Sequence, residues 1–212
     1  MSAYAKVYLS EAMGNLAEAF DYAVNACKVS AADFGKAFLA SGLAAGWESG
    51  SPKFLVGLSG SELATECLTR IGFTREWPAA RIDPLSRTPE YWTGWVLAYY
   101  QWKTARPFAE IFAALPPDDV LRLYHPLHEA DEDTFCDHAE AILKRTFPET
   151  RLRRQRTNRG LSQSELASQS RVNIRNIQQY EQRAKNVNHA AATILLALAR
   201  VLGCRIEDLL ES

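Results

Sequence analysis

Residues 162–183 read SQSELASQSRVNIRNIQQYEQR, and this stretch holds two helix starts with almost no chain between them. Ser162 can accept from the backbone three residues on while Glu165 reaches back, which is a capping box. That helix runs out at Ser170–Arg171, and after a turn of three or four residues Asn173 can cap the next. Two short helices so joined, with Leu166, Ala167, Val172, Ile177 and Tyr180 facing inward, make a helix-turn-helix. Around it, RLRRQRTNRG from residue 151 reads as a basic helix closed by Gly160 at a left-handed position. NHAAATILLALARVLGC supplies an apolar helix, and RIEDLLE a final short one.

The second helix of the pair has an unusual surface. Ile177 and Tyr180 lie on its buried stripe, so Arg175, Asn176, Gln178 and Gln179 project outward. Glu and Lys would solvate such a face more simply. Amides and guanidinium instead match base edges in the major groove: Gln or Asn with adenine, Arg with guanine. The charge distribution agrees. Residues 151–212 hold eleven Arg and Lys against five Asp and Glu, a net of +6, whereas residues 1–150 hold thirteen against twenty, a net of −7. A basic half beside an acidic half points to a polyanion as partner of the former.

Residues 149–211 resemble the Cro and phage-repressor type of helix-turn-helix domain, through LSQSELA, through Val172, Ile177, Tyr180 and Glu181, and through LARVLGCRIEDLL. The resemblance implies that Gln163 bonds a phosphate and that Asn173, Ile174, Arg175, Gln178 and Gln179 meet bases or adjacent phosphates. Lys185 and Asn186 would hold the DNA backbone, and Arg156 with Glu181 would form a partly buried pair. It also implies a homodimer on a double-stranded operator, with half-sites about 34 Å apart. Two positions depart from the family pattern: Arg171 and Arg183 stand where glycine is preferred. A recognition helix that runs longer, or leaves at another angle, is the expected consequence.

The rest of the chain also reads as helical, with three- and four-residue apolar spacing and no useful β-alternation. The expected fold is all-α: an N-terminal multi-helix domain over residues 1–147, then a five-helix Cro/repressor-type domain over 148–212, divided at TFPET. A first helix follows Ser10 as its cap, and a second runs from Ser30 to about Gly46. A third starts near Ser59 or Ser61. Residues 74–89, with Pro78, Pro84 and Pro89, form a loop, and Thr88 then caps TPEYWTGWVLAYYQWKTA with Pro89 at its first position. Shorter helices follow at 107–114, 117–124 and 132–145.

No catalytic signature appears in this half, so no reaction and no cofactor are expected. HPLHEADEDTFCDH offers His125, His128, Cys136 and His138, ligand types that zinc accepts, but lacks a paired Cys-x-x-Cys. Its carboxylates, Glu129, Asp131, Glu132 and Asp133, read as a solvated loop, and no metal site is expected. The aromatic helix is more informative. Tyr91, Trp95, Tyr99 and Trp102 form one stripe with Trp92, Val96 and Tyr100 beside it, more ring surface than one helix face usually buries. Trp92, Trp95, Tyr99 and Trp102 are therefore candidates for covering a partner.

YLSEAMGNLAEAFDYAV, FLASGLAAGWESGSPKFLVGLSGSELA and SRTPEYWTGWVLAYYQWKT resemble the N-terminal part of bacterial proteins that precede a similar helix-turn-helix. Some of those are encoded beside small toxin-like proteins, including ADP-ribosyltransferase-type ones. This implies an antitoxin that binds a small toxin protein through the acidic domain and represses the shared promoter through the basic one. An autonomous regulator, whose N-terminal domain senses a small molecule or only dimerises, is the alternative. The start of the chain lacks an export signal, and the longest uncharged apolar stretch, Ala190 to Ala199, is half a membrane span. Scattered Cys27, Cys67, Cys136 and Cys204 suit a reducing compartment, so a cytoplasmic location with no membrane partner is expected.

Overall fold

The computed structural model describes residues 2–73, 76–79, 88–147 and 149–211. Helices account for the regular structure, and no strand occurs among the described residues. In chain order they are α1 (Leu9–Asp21), α2 (Ala31–Ala40), α3 (Leu43–Glu48), α4 (Pro52–Leu55), α5 (Gly60–Arg70), α6 (Pro89–Thr104) and α7 (Phe108–Ala114). Then follow α8 (Pro117–Arg122), α9 (Tyr124–Leu127), α10 (Glu132–Thr146), α11 (Arg151–Asn158), α12 (Gln163–Ser170), α13 (Ile174–Glu181) and α14 (Ala192–Leu202). The chain divides into two compact units, 1–143 and 144–212, within the last turn of α10.

The first unit is built around α1, whose Ala12, Met13, Leu16, Ala17, Ala19 and Phe20 are all buried. Helices α5 and α6 both pack on it. The approach is closest at two glycines. A Cβ on Gly94 of α6 would lie 2.3 Å from the Leu16 carbonyl oxygen and 2.6 Å from the Ala17 Cα. One on Gly60, the first residue of α5, would lie 2.5 Å from the Asn15 carbonyl oxygen. Beyond this contact Phe38 meets Trp47 and Phe108 edge-on, with ring centres 6.2 and 5.1 Å apart, and Phe20 meets Phe34 at 4.9 Å. These rings share the core with fully buried leucines, among them Leu16, Leu43, Leu63 and Leu97.

Helix ends follow the sequence signals in part. Ser59 and Glu62 make a capping box, and Ser30 and Thr88 each accept from the backbone three residues on. Three differences have physical reasons. Ser10 does not cap α1; a single 3₁₀ turn at Lys6–Tyr8 leads into the helix, which starts at Leu9 with Tyr8 at the cap position and leaves Ser10 inside it. The helix expected over 30–46 is broken at Gly42, whose left-handed backbone (φ +78°) ends α2 and starts α3 in a new direction. The segment 117–124 is likewise divided, between α8 and α9 at Leu123. Within the loop expected over 74–89, residues 76–79 have no regular structure, whereas Pro84 falls outside the described residues.

The second unit packs Leu152, Leu166, Val172, Ile177, Tyr180, Val187, Leu195, Leu198, Leu202 and Leu209 into one core. The expected fifth helix is a single 3₁₀ turn, Ile206–Asp208, following the left-handed Gly203 that closes α14.

The two kinds of helical glycine in the first unit should respond oppositely to alanine. Gly94→Ala forces α1 and α6 apart and should cost roughly 3 kcal/mol or more in denaturant unfolding. Gly14→Ala, at a helix-interior position with nothing within 4 Å, should gain roughly 0.5–1 kcal/mol.

Candidate nucleic-acid interface

Helix α12 begins at Ser162, whose hydroxyl accepts from the Glu165 N–H (3.1 Å) while the Glu165 carboxylate accepts from the Ser162 N–H (2.7 Å). Its last residue, Ser170, is followed by Arg171 in the left-handed region (φ +57°), and Asn173 Oδ1 then accepts from the Arg175 N–H (2.8 Å) to open α13. Ile177, Tyr180 and Glu181 face inward. Ile174, Arg175, Gln178 and Gln179 occupy the other side, and the Arg175 side chain is exposed with no ion pair among the described residues.

The expected Arg156–Glu181 pair is a bidentate one: Nε to Oε1 at 2.6 Å and a terminal nitrogen to Oε2 at 2.8 Å, with both residues buried. Arg156 also donates to the Leu161 carbonyl (2.7 Å), and Gln163 Nε2 to Glu181 Oε2 (2.8 Å). The Glu181 carboxylate holds the Arg156 guanidinium above its ordinary pKa. This set ties α11, α12 and α13 together by charge-assisted bonds, which fixes the angle at which α13 is presented.

Two points differ from the expectations. The side chain of Gln163 is turned to Glu181 rather than outward, so its first-turn backbone N–H groups are what α12 presents to solvent. And α13 does not run longer: it ends at Glu181 because Arg183 takes the left-handed conformation (φ +57°) despite its Cβ. Arg183 then bonds Glu211 (3.3 Å) and lies over the Phe147 ring. Beyond the helix, the Lys185 ammonium reaches Asn176 Oδ1 at 3.4 Å, and Asn186 uses its Oδ1 to cap the following 3₁₀ turn through the Asn188 N–H. Both residues are exposed, beside α13.

One contact the sequence did not advertise is made by Glu211. Its Oε1 accepts from the Arg151 N–H at the start of α11 (2.9 Å), closing the unit end to end. Only a tertiary contact reveals it.

The four candidate partner residues belong to α6 of the first unit, and each is half-buried. Trp95 Nε1 donates to Glu132 (2.8 Å), the Tyr99 hydroxyl to Asp133 (2.9 Å) and Trp102 Nε1 to the Tyr4 carbonyl (2.9 Å); Trp92 packs edge-on against Tyr124 and Phe135. The His/Cys stretch is dispersed. Cys136 points into the core, where burial pushes its thiol up to about 12, while His125 and His138 are exposed. Among the described residues no group of three or more His, Cys, Asp or Glu is placed to hold a metal ion, and no helix is long and apolar enough to cross a membrane.

Removing one partner of the buried pair leaves the other charge unpaired. Arg156→Ala should therefore cost about 3–5 kcal/mol, read as faster amide exchange at Ile177 and Leu198. Arg156→Met together with Glu181→Leu should restore most of that protection. Arg171→Gly should instead stabilise the unit by about 1 kcal/mol through relief of left-handed strain.

Compared with known proteins, the chain matches no curated protein and no solved structure. Residues 152–209 do match the helix-turn-helix family model. The interface built on α12 and α13 is thus that of a DNA-binding helix-turn-helix domain of the Cro/C1 type.

Proposed function

We propose that this DNA-binding regulator is a sequence-specific repressor that acts as a dimer. The observation that carries the reading is the outward face of α13: Arg175, Gln178 and Gln179 on a helix whose other side is locked by Ile177, Tyr180 and the Arg156–Glu181 pair. Arg175 and Gln179, one turn apart, read base edges. Asn173 keeps its amide N–H groups for a phosphate or base, since only its carbonyl is used in the cap. Ile174 supplies an apolar contact. The backbone N–H at Gln163 holds the DNA backbone on one side, and Lys185 and Asn186 hold it on the other. Occupying an operator in this way blocks polymerase.

We infer further that the chain is an antitoxin. In this reading the first unit binds a small toxin protein, using the exposed edges of Trp92, Trp95, Tyr99 and Trp102, and toxin binding changes operator occupancy by altering avidity. Support comes from the N-terminal sequence resemblance and from the opposite charges of the two halves. The second reading, a regulator whose first unit senses a small molecule, is favoured by a cleft beside the same aromatic helix.

Operator selection on random DNA gives the site on which these ideas are tested. There, Arg175→Ala or Gln179→Ala should reduce discrimination at single positions by about 1–3 kcal/mol. Lys185→Ala should weaken all sequences alike and reduce the salt slope by about one. An unchanged base preference in Arg175→Ala would show the assigned register of α13 to be wrong. For the antitoxin reading, any small protein encoded next to this chain is expressed alone and together with it. Growth arrest relieved by co-expression, and lost again on replacing Trp95 and Tyr99, is the expected result.

A further inference from the structure

The turn between α12 and α13 holds a cation in a conformation that suits glycine. Arg171 is exposed and left-handed (φ +57°), two residues before the Asn173 cap of α13. The turn itself does not call for a guanidinium, because neighbouring side chains close it. Ser170 Oγ donates to the Leu166 carbonyl (2.6 Å) and accepts from the Val172 N–H (3.3 Å), and Asn173 Oδ1 accepts from the Arg175 N–H (2.8 Å). Glycine or asparagine would take the left-handed shape with less strain.

Nothing in the unit answers the charge. Arg153, Arg156 and Arg183 pair with Glu149, Glu181 and Glu211, and Arg159 donates to the Leu202 carbonyl (2.6 Å). The Arg171 guanidinium has no partner among the described residues. Along the chain, the residues between Glu165 and Glu181 include Arg171 and Arg175 and no acid. The two flanking carboxylates are already engaged, Glu165 by the Ser162 N–H and Glu181 by Arg156.

What gives the position meaning is the end of α13 that it adjoins. The N-terminal residues of a recognition helix are the ones that reach base edges. A residue leading into that end therefore arrives at the rim of the groove, where the sugar–phosphate chain runs. The first-turn N–H groups of α12 lie at the far end of their helix from Arg171: eight residues at about 1.5 Å each, ~12 Å away. Arg171 thus addresses a phosphate other than theirs.

We propose that Arg171 is a further contact to the DNA backbone, its guanidinium pairing with a phosphate at the rim of the groove beside the N-terminal end of α13. The strain is carried in the free protein, and the charge-assisted bond is made only in the complex. The inference rests on the DNA-binding reading of α13 and adds to it a contact that the family resemblance does not imply.

The test measures the affinity of the full chain for duplex DNA as salt is raised, on the selected operator and on a duplex of arbitrary sequence. Log affinity falls linearly with log salt, by about 0.9 for each phosphate neutralised. Arg171→Gly and Arg171→Asn suit the left-handed backbone, so neither should melt below the unaltered chain. Each should reduce the salt slope by about one per bound copy on both duplexes and leave base preference unchanged. Arg171→Lys should keep the slope, since Lys28 shows that lysine takes the same conformation in this chain (φ +57°). On the operator, one phosphate per half-site whose ethylation weakens the unaltered chain should no longer matter to Arg171→Gly. An unchanged slope in Arg171→Gly, where Lys185→Ala lowers it, overturns the proposal and leaves the DNA reading standing. Lost preference at a single base also overturns it, because Arg171 would then be reading a base. An unaltered chain that binds neither duplex sinks both.

Discussion

Short helices leave most of their own N–H groups without partners, and this chain is made mostly of short helices. How those N–H groups are satisfied shapes much else. Local caps serve some of them. Elsewhere the acceptor is a carboxylate brought from a distant element: Glu48 to the Phe108 N–H at the start of α7 (2.7 Å), Asp118 to the Ala32 N–H in α2 (2.8 Å), Glu18 to the Gly60 N–H in α5 (3.1 Å). Glu211 does the same for α11 in the second unit. Each such bond is a cap and a tertiary tie at once, favoured by the positive end of the helix dipole. Burial pushes the Glu48 carboxyl upward even as that bond opposes the shift. The acid excess of the N-terminal half is therefore partly structural, and only the remainder is available to partners.

The same distinction decides what could be read from the sequence. Features set by a few neighbouring residues were legible: the capping box at Ser162, a helix start near Ser59, Thr88 before Pro89, the Gly160 terminus, and the inward stripe of α13. Features set by a facing element were not. Gly94 and Gly60 look like weak helix formers in sequence, yet each is where a neighbouring backbone needs the space. Gln163 stands where the family contacts phosphate, but a buried acceptor one helix away draws it inward. Gly42 ended a helix that local periodicity carried through. In HPLHEADEDTFCDH the carboxylates 129–133 read as a solvated loop, whereas Glu132 and Asp133 open α10, the 15-residue helix expected over 132–145. His128, Asp131 and Glu132 line a cleft together with Tyr91 and Trp95, which lie well before them in the chain.

In the DNA-binding unit, polar groups rather than apolar ones set the orientation of the reading helix. A core of leucines would tolerate small rotations of α13; a bidentate guanidinium–carboxylate pair, with one further donor (Gln163) and one further acceptor (the Leu161 carbonyl), tolerates far less. Arg171 and Arg183 fix the same helix at its two ends, each held left-handed without glycine's freedom. Stability is given up at both positions while a cation is kept at one exposed end and an ion pair with Glu211 at the other.

Those two ends also limit how much information the helix can extract. Eight residues at about 1.5 Å each make a rod of about 12 Å, which spans about four base pairs at roughly 3.4 Å per step. A four-letter word recurs by chance about once in 250 positions, far too often among the ~10⁶ or more competing sites of a genome. Two copies reading eight letters reduce that to about one in 65,000, and contacts outside the groove must supply the rest. Because α13 ends before Arg183, a repressor of the kind proposed would gain selectivity by adding copies, not by extending the reader.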